Sequence, residues 1–303
     1  MFARHALVIA ALGFALFGVN ARGANQLSLT VTPADSSTQI PATLIKPEGE
    51  GPFPAVVILH DCSGLGPRSS GAPLRWADEL VAQGYVILIP DSFTPRGFAD
   101  GVCVTPAKQR DRVNGYLRAA DAYGALAALR ALPYVDGKRI GIMGGSHGGW
   151  ATLAAMFVPV DADNPLAQAK RNGFAAAVAL YPGCTARYGA WSTANANAPG
   201  AGVRYTGVYQ PIAPLLILAG EKDDWTPAEP CRHLAEGSRA AGCPVDIKIY
   251  PGAHHSFDND RPTRYVAQRN NGRGATTGGN PAAWADARKQ VSAFFALHLK
   301  QRP

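Results

Sequence analysis

Apolar and polar residues alternate in the first part of the chain in a way that predicts short strands. Residues 27–32 and 39–45 alternate with a period of two around a turn-rich stretch, so we expect an antiparallel hairpin at the edge of a sheet. Residues 55–59 and 86–89 are continuous apolar runs, which are typical of strands buried on both faces. After these runs the pattern changes to alternating strands and helices.

Apolar residues at helical spacing and further apolar runs make up this alternation. The expected helices cover residues 72–83, 108–132, 231–241 and 282–299, and the further strands cover residues 174–180, 214–219 and 245–250. Such an order predicts one α/β domain, in which helices cover both faces of a mostly parallel sheet of about eight strands.

Two long segments fit neither pattern. Residues 184–210 are full of Ala, Asn and Gly, and residues 259–280 are similarly rich in Asn and Gly. Both segments follow predicted strands at their carboxyl ends, where ligands bind in α/β proteins. We therefore expect them to form the rim of a pocket.

Residues 140–150 have the sequence of a strand, a sharp turn and a helix. Gly144, Ser146 and Gly148 fill the G-x-S-x-G pattern of a nucleophile elbow. Glycines are needed because a Cβ two residues before or after the serine would collide with the neighbouring strand or helix. The motif predicts an exposed Ser146 Oγ at the carboxyl end of the sheet and a His147 amide that points at a developing oxyanion.

A glycine-rich turn that binds a phosphate, or no ligand, is the alternative for this motif. The stretch contains neither a G-x-G-x-x-G pattern nor a following P-loop lysine, which argues against nucleotide binding. A serine nucleophile needs a base and an orienting acid, so the rest of the chain decides between the two hypotheses.

Carboxylates and histidines follow two predicted strands after the elbow. Asp223 and Asp224 come after one strand, and His254 and His255 come after the next. The order Ser, Asp, His is that of α/β-hydrolases. The alternatives are a solvated pair of loop acids and a metal site at the histidines. No Cys or carboxylate stands at ligand spacing from the histidines, so we predict no metal site.

The chain resembles the dienelactone hydrolase family of α/β-hydrolases over nearly its whole length after residue 23. The resemblance rests on the elbow, on residues 60–65 (HDCSGL) and on residues 250–257 (YPGAHHSF). It implies an α/β-hydrolase fold. It also implies Asp223 as the acid, three residues after a strand-ending glycine, and His255 as the base, two residues before a phenylalanine.

The resemblance further implies a second oxyanion donor and substrate contacts. The backbone amide of Cys62, which follows the acidic Asp61, would complete the oxyanion hole with the amide of His147. Asp61, Arg96 and Trp225 are expected to contact the substrate, with Arg96 in a stretch like the family's substrate-facing one. A surface arginine is the alternative for Arg96, since arginine reads a substrate carboxylate only where it reaches the pocket.

The namesake enzymes carry a cysteine where this chain has Ser146, which favours a broader carboxylic ester hydrolase over a dienelactone hydrolase. We expect hydrolysis of a small-molecule ester or lactone through an acyl-enzyme, with Ser146, His255 and Asp223 as the triad and without a cofactor. An acyl-peptidase or acyltransferase could use the same triad, and a secreted binding protein could keep the pocket without turnover.

The start of the chain predicts export. A positively charged start precedes an apolar run at residues 6–19 that is too short to span a bilayer comfortably. Small residues follow, so we expect a cleaved signal peptide over residues 1–23 and a hydrolase domain over residues 24–303; a retained membrane anchor is the alternative. The product would be periplasmic or secreted, without a stable membrane anchor.

The charge and the cysteines refine this picture. Cleavage would lower the formal net charge from +7 to +5, and without a block of Lys or Arg this basicity argues against nucleic-acid binding.

Cys62 and Cys103 follow neighbouring strands, so we expect them to pair. Cys231 could pair with Cys184 or Cys243; a helix of about eleven residues would separate it too far from Cys243, which favours Cys184. Five reduced cysteines are the alternative, which export disfavours.

Overall fold

The computed structural model describes residues 15–19, 25–159, 166–195 and 202–301. Strands and helices alternate along these residues much as the pattern predicts. The strands are β1 (Ala15–Val19), β2 (Asn25–Val31), β3 (Ile40–Lys46), β4 (Phe53–Leu59), β5 (Val86–Pro90), β6 (Val135–Gly145), β7 (Ala176–Leu180), β8 (Ser192–Ala194), β9 (Arg204–Thr206), β10 (Leu215–Gly220), β11 (Val245–Tyr250), β12 (Arg264–Val266) and β13 (Ala275–Thr277). The α-helices are α1 (Ala72–Val81), α2 (Ala107–Arg110), α3 (Gly115–Arg130), α4 (His147–Met156), α5 (Ala167–Arg171), α6 (Ala228–Ala240) and α7 (Pro281–Phe295).

Nine strands of the described residues form one sheet in the order β1-β2-β3-β5-β4-β6-β7-β10-β11. The six strands from β5 to β11 run parallel, and β1 to β3 extend them antiparallel. The mostly parallel sheet is therefore confirmed. The strand β1 exceeds the eight expected and lies within the proposed signal peptide, whose residues 1–14 and 20–23 lie outside the described part of the chain.

Helices cover both faces because the central strands are apolar on both sides. In β4, Val57 and Leu59 belong to the core shared with α3, α4 and α6, whereas Val56 and Ile58 belong to the core shared with α1 and α7. This arrangement leaves the carboxyl ends of β4, β6, β10 and β11 at one edge of the sheet, where loops can carry polar side chains.

The single helix expected over residues 108–132 is wrong. The side chain of Asn114 accepts hydrogen bonds from the amides of Tyr116 and Leu117 at 2.9 and 3.0 Å, and α3 begins at the next residue. Asparagine favours this capping geometry over a helix interior, so the preceding residues form only the short α2 and a 3₁₀ turn.

The two unassigned segments each contain a short hairpin outside the sheet. Strands β8 and β9 pair in the first segment, and β12 and β13 pair in the second. None of the helices in the described ranges is both long and apolar enough to span a membrane.

Both expected disulfides are confirmed. Cys62 pairs with Cys103 and Cys184 pairs with Cys231, with Cα atoms 4.9 and 5.1 Å apart, and Cys243 has a free thiol. The first bridge joins the loop after β4 to the loop after β5, beside the carboxyl edge of the sheet.

Candidate active site

Ser146 occupies a sharp turn between β6 and α4. Its backbone has φ 55° and ψ −115°, which a residue with a Cβ adopts only under strain. A Cβ on Gly144 would lie 2.6 Å from the carbonyl of Gly148, and one on Gly148 would lie 2.1 Å from the carbonyl oxygen of Leu59. The predicted reason for both glycines is therefore confirmed.

A chain of hydrogen bonds runs from Ser146 to Asp223. Ser146 Oγ lies 2.8 Å from His255 Nε2, and His255 Nδ1 lies 2.8 Å from Asp223 Oδ2. All three residues are buried, with exposed fractions of 7% for Ser146, 1% for His255 and 5% for Asp223. The carboxylate favours the tautomer with hydrogen on Nδ1, which leaves Nε2 free to accept the serine proton.

Asp223 is itself held by the loop after β10. Its Oδ1 accepts the amides of Trp225 and Thr226 at 2.9 and 2.8 Å. The Thr226 hydroxyl lies 3.0 Å from Asp223 Oδ2, 3.0 Å from His255 Nδ1 and 2.9 Å from the carbonyl oxygen of Tyr181. Sequence reasoning missed Thr226, although its place three residues after an acid is typical of such turns.

The ring of His255 lies between two aromatic side chains. Tyr181 meets it edge to face at 4.8 Å between centroids, and Trp225 lies tilted at 4.7 Å. The Tyr181 hydroxyl and Trp76 Nε1 both donate to the carboxylate of Asp258 at 2.8 Å. Burial raises the pKa of Asp258, although these two hydrogen bonds lower it. The buried acid fixes the tyrosine that packs against the imidazole.

The structure distinguishes the members of each adjacent pair. The carboxylate of Asp224 forms no hydrogen bond with a histidine of the described residues. It accepts hydrogen bonds from the backbone amide and the hydroxyl of Thr276, at 2.7 and 2.8 Å. His254 Nδ1 donates to the carbonyl oxygen of Lys222 at 2.9 Å. Only Asp223 and His255 therefore belong to the hydrogen-bonded chain.

Cys62, in the loop after β4, and His147, the first residue of α4, line one recess together with Ser146. The ring of His147 is fixed by Arg118, whose Nη1 lies 2.9 Å from His147 Nδ1 while Nη2 donates to the carbonyl oxygen of His60 at 2.7 Å. Burial, assisted by the Arg118 charge, holds the pKa of His147 well below its usual range. A neutral imidazole therefore follows the serine.

Arg96 does not lie where the sequence predicts. Its guanidinium binds both carboxylate oxygens of Asp121 at 2.8 and 2.7 Å and donates to the carbonyl oxygen of Ser92 at 2.7 Å. Asp121 is fully buried and needs a counter-charge, so this bidentate pair holds Arg96 inside the fold. Arg96 is absent from the walls of both recesses around Ser146, so the structure does not place it at the expected substrate contact.

Two recesses meet at Ser146. The first, which we call the arginine pocket, has a volume of about 50 Å³. Its walls include Ser146, His255, Asp61, Arg68, Arg261, Arg264 and Arg269. The second, the tryptophan groove, has a volume of about 420 Å³. Its walls include Ser146, Cys62, His147, Trp150, Ala186 and Trp225.

Both segments expected at the rim contribute to these recesses. Residues 259–280 supply three of the four arginines, and residues 184–210 supply Ala186. Asp61 and Trp225 also line them, as expected of substrate-contacting residues. Within the ranges that the structure describes, no group of three or more His, Cys, Asp or Glu side chains is placed to hold a metal ion.

The fold and the serine, histidine and aspartate at its carboxyl edge define an α/β-hydrolase. The model of the dienelactone hydrolase family matches residues 40–299, so the chain belongs to this family. Membership identifies the chain as a hydrolase that acts on esters.

Known relatives cover nearly the whole chain. A Synechocystis protein provisionally named carboxymethylenebutenolidase is 24% identical over 282 residues, which are 89% of this chain and 96% of the relative. A provisionally named dienelactone hydrolase of Klebsiella pneumoniae has a similar structure, with a TM-score of 0.60 at 20% identity over 89% of this chain and 98% of its own. Esterase 2 of Thermogutta terrifontis has a TM-score of 0.59 at 18% identity, over 91% of this chain and 96% of its own. The two solved structures share the fold.

Proposed function

We propose that this protein is an exported serine hydrolase that cleaves carboxylic esters or lactones through a covalent acyl-enzyme. The observation that carries the proposal is the pair of 2.8 Å contacts that link Ser146 Oγ, His255 and Asp223 on a strained elbow. The relatives named carboxymethylenebutenolidase and esterase support an ester or lactone as the substrate.

In the first half of the reaction, His255 Nε2 takes the proton of Ser146 as Oγ attacks the ester carbonyl carbon. The negative charge moves to the carbonyl oxygen, where the amides of Cys62 and His147 donate hydrogen bonds. The carbon–oxygen bond to the alcohol then breaks, and His255 returns its proton to the leaving oxygen. Asp223 keeps the imidazole oriented and stabilises its positive charge.

In the second half, water attacks the acyl-enzyme. His255 takes a proton from this water, the acid forms, and the proton returns to Ser146 Oγ. A serine hydroxyl is a weak nucleophile without a neighbouring base, and the buried His255–Asp223 pair supplies that base.

Export is part of the proposal and has separate support. The two disulfides are typical of proteins that fold in an oxidising compartment. The apolar run at residues 6–19 is the second support, and we propose cleavage after Ala21 or Gly23. Residues 24–303 would then form the periplasmic or secreted hydrolase.

A fluorophosphonate ester tests the mechanism directly, since it reacts with an activated serine. We expect peptide mapping to find the label on Ser146 and Ser146→Ala to lose both labelling and turnover of p-nitrophenyl butyrate, the latter by about 10⁴-fold or more. Ser292→Ala, a remote change of the same kind in α7, is the control and should keep both. Turnover of Ser146→Ala within about tenfold of the parent would refute the assignment.

A further inference from the structure

We propose that the arginine pocket binds the alcohol half of the ester, and that this alcohol carries a compact dianion, namely a phosphate monoester. The acyl half then lies in the tryptophan groove. This inference rests on the proposed function and adds its substrate class; the phosphate is recognised and only the carboxylic ester is cleaved.

The position of His255 indicates which recess holds the alcohol half of the ester and which holds the acyl half. The leaving oxygen must receive its proton from His255 Nε2, so the alcohol lies on the side of Ser146 where His255 forms the wall. That side is the arginine pocket. Of the two proposed oxyanion donors, Cys62 lines both recesses and His147 lines only the tryptophan groove, so the acyl carbon and its substituent extend there.

The positive charge of the arginine pocket favours an alcohol that carries negative charge. Four guanidiniums surround it, those of Arg68, Arg261, Arg264 and Arg269, and across the described residues none of them lies within 4.0 Å of a carboxylate in an ion pair. Asp61 is the one acidic side chain in this wall, and it accepts hydrogen bonds from Ser63 and Ser70 instead. The pocket therefore has a surplus of positive charge.

Arg269 is held in place by contacts within the protein. Its Nη1 donates to Thr277 Oγ1 at 2.9 Å and its guanidinium lies over the ring of Trp225, 5.2 Å from the centroid. Burial lowers the pKa of Arg269, and the like charges of Arg264 and Arg261 lower it further, although the Asp61 carboxylate partly offsets them. A bound anion would relieve this repulsion, and guanidinium groups match the geometry of phosphate oxygens.

The sizes of the recesses favour a phosphate over a longer dicarboxylate. The arginine pocket, at about 50 Å³, fits one compact group, whereas the groove of about 420 Å³, with Trp150 and Trp225 in its walls, fits a larger apolar acyl group. Arg110 also borders the groove, but its guanidinium donates to Asn271. A single phosphate monoester places two negative charges within the volume of the arginine pocket.

Four esters test the assignment at pH 8, where a phosphate monoester is a dianion. They are 2-(benzoyloxy)ethyl phosphate, 3-(benzoyloxy)propionate, the neutral 2-methoxyethyl benzoate, and methyl 4-(phosphonooxy)benzoate, which carries the phosphate on the acyl half. We expect kcat/KM to be highest for the first, at least about tenfold above the neutral ester, and this advantage to shrink as salt is added.

A double variant of the pocket and a single arginine variant remote from it test the pocket itself. In Arg261→Gln/Arg264→Gln, the ratio of kcat/KM for 2-(benzoyloxy)ethyl phosphate to that for 2-methoxyethyl benzoate should fall about tenfold or more. Arg239→Gln, on an exposed position of α6, should leave the ratio unchanged. Should the double variant fail to fold, the salt dependence of the ratio of kcat/KM for the two esters, measured on the parent protein, tests the same charge recognition.

Three results would overturn the inference while the proposed function stands. They are a ratio near one for the parent protein, equal or better hydrolysis of the propionate or the acyl-side phosphate, and no hydrolysis of the first ester by protein that reacts with fluorophosphonate. Failure of the proposed function differs from all three, because no ester is then hydrolysed and Ser146 stays unlabelled.

Discussion

Asp224 accepts both the amide and the hydroxyl of Thr276, at 2.7 and 2.8 Å, and so fixes the β12–β13 hairpin to the loop that carries Asp223. Asp223 meanwhile accepts from His255 at 2.8 Å. Two consecutive acids thus hold two different parts of the site, the imidazole and the segment that bears three of the four pocket arginines.

This division predicts different outcomes for matched substitutions. Asp223→Asn should lower kcat for p-nitrophenyl butyrate by about 10⁴-fold, because an amide can donate to Nδ1 and favour the wrong tautomer. Asp224→Asn should keep most of this kcat and raise KM for 2-(benzoyloxy)ethyl phosphate, because the hairpin is less firmly held. Steady-state kinetics of both variants measure this, and equal losses of kcat would contradict the division.

The elbow predicts a large difference between two glycine substitutions. Gly148→Ala should abolish folding or turnover, because its Cβ would lie 2.1 Å from the carbonyl oxygen of Leu59. Gly237 in α6 has no heavy atom outside its own helix backbone within 4 Å of the corresponding position, so Gly237→Ala should raise stability by about 0.5–1 kcal/mol. Urea denaturation and ester turnover distinguish them. A folded, active Gly148→Ala protein would be incompatible with this account.

The buried Arg96–Asp121 pair predicts a loss of stability rather than of chemistry. Arg96→Gln leaves the Asp121 carboxylate buried without its counter-charge, so the free energy of unfolding should fall by about 3–5 kcal/mol. Adding Asp121→Asn should restore part of it. Activity of the folded Arg96→Gln protein toward a neutral ester should persist, and a selective loss of that activity at unchanged stability would return Arg96 to the substrate site.

Lys170 predicts a pH-dependent stability. It is 2% exposed, and burial lowers its pKa to about 7, while Nζ donates to the carbonyl oxygens of Ala154 and Phe157. The unfolded chain, with the ordinary lysine pKa, binds more protons above about pH 7, so the stability of the parent rises with pH relative to Lys170→Met. The rise should approach about 1.4 kcal/mol per pH unit between about pH 7 and 9. Urea denaturation at four pH values measures it, and parallel curves would disprove it.

Sequence reasoning found the parts of the site that depend on local geometry. The glycines around Ser146, the order of Ser, Asp and His, and the disulfide pairing all follow from short motifs or from the ends of parallel strands. The division between Asp223 and Asp224 came from the family resemblance, since the residues alone left both acids equivalent.

The parts that depend on distant contacts were missed. Arg96 finds its partner, Asp121, in a helix 25 residues later, and no local pattern indicates that pair. The arginine pocket had a usable signal: residues 261–280 contain four arginines and no acidic residue. Without a hydrophobic period, however, the segment could not be placed over His255 from sequence.

The base of the β12–β13 hairpin closes on the loop that carries His255. The amide of Gly278 donates to the carbonyl oxygen of His255 at 3.0 Å. The amide of Asn280 donates to the carbonyl oxygen of Phe257 at 2.9 Å. The hairpin therefore leaves and rejoins the domain at nearly the same place, which is the geometry in which loops tolerate changes of length. This segment could therefore be replaced by one of another length or sequence while Ser146, His255 and Asp223 keep their positions.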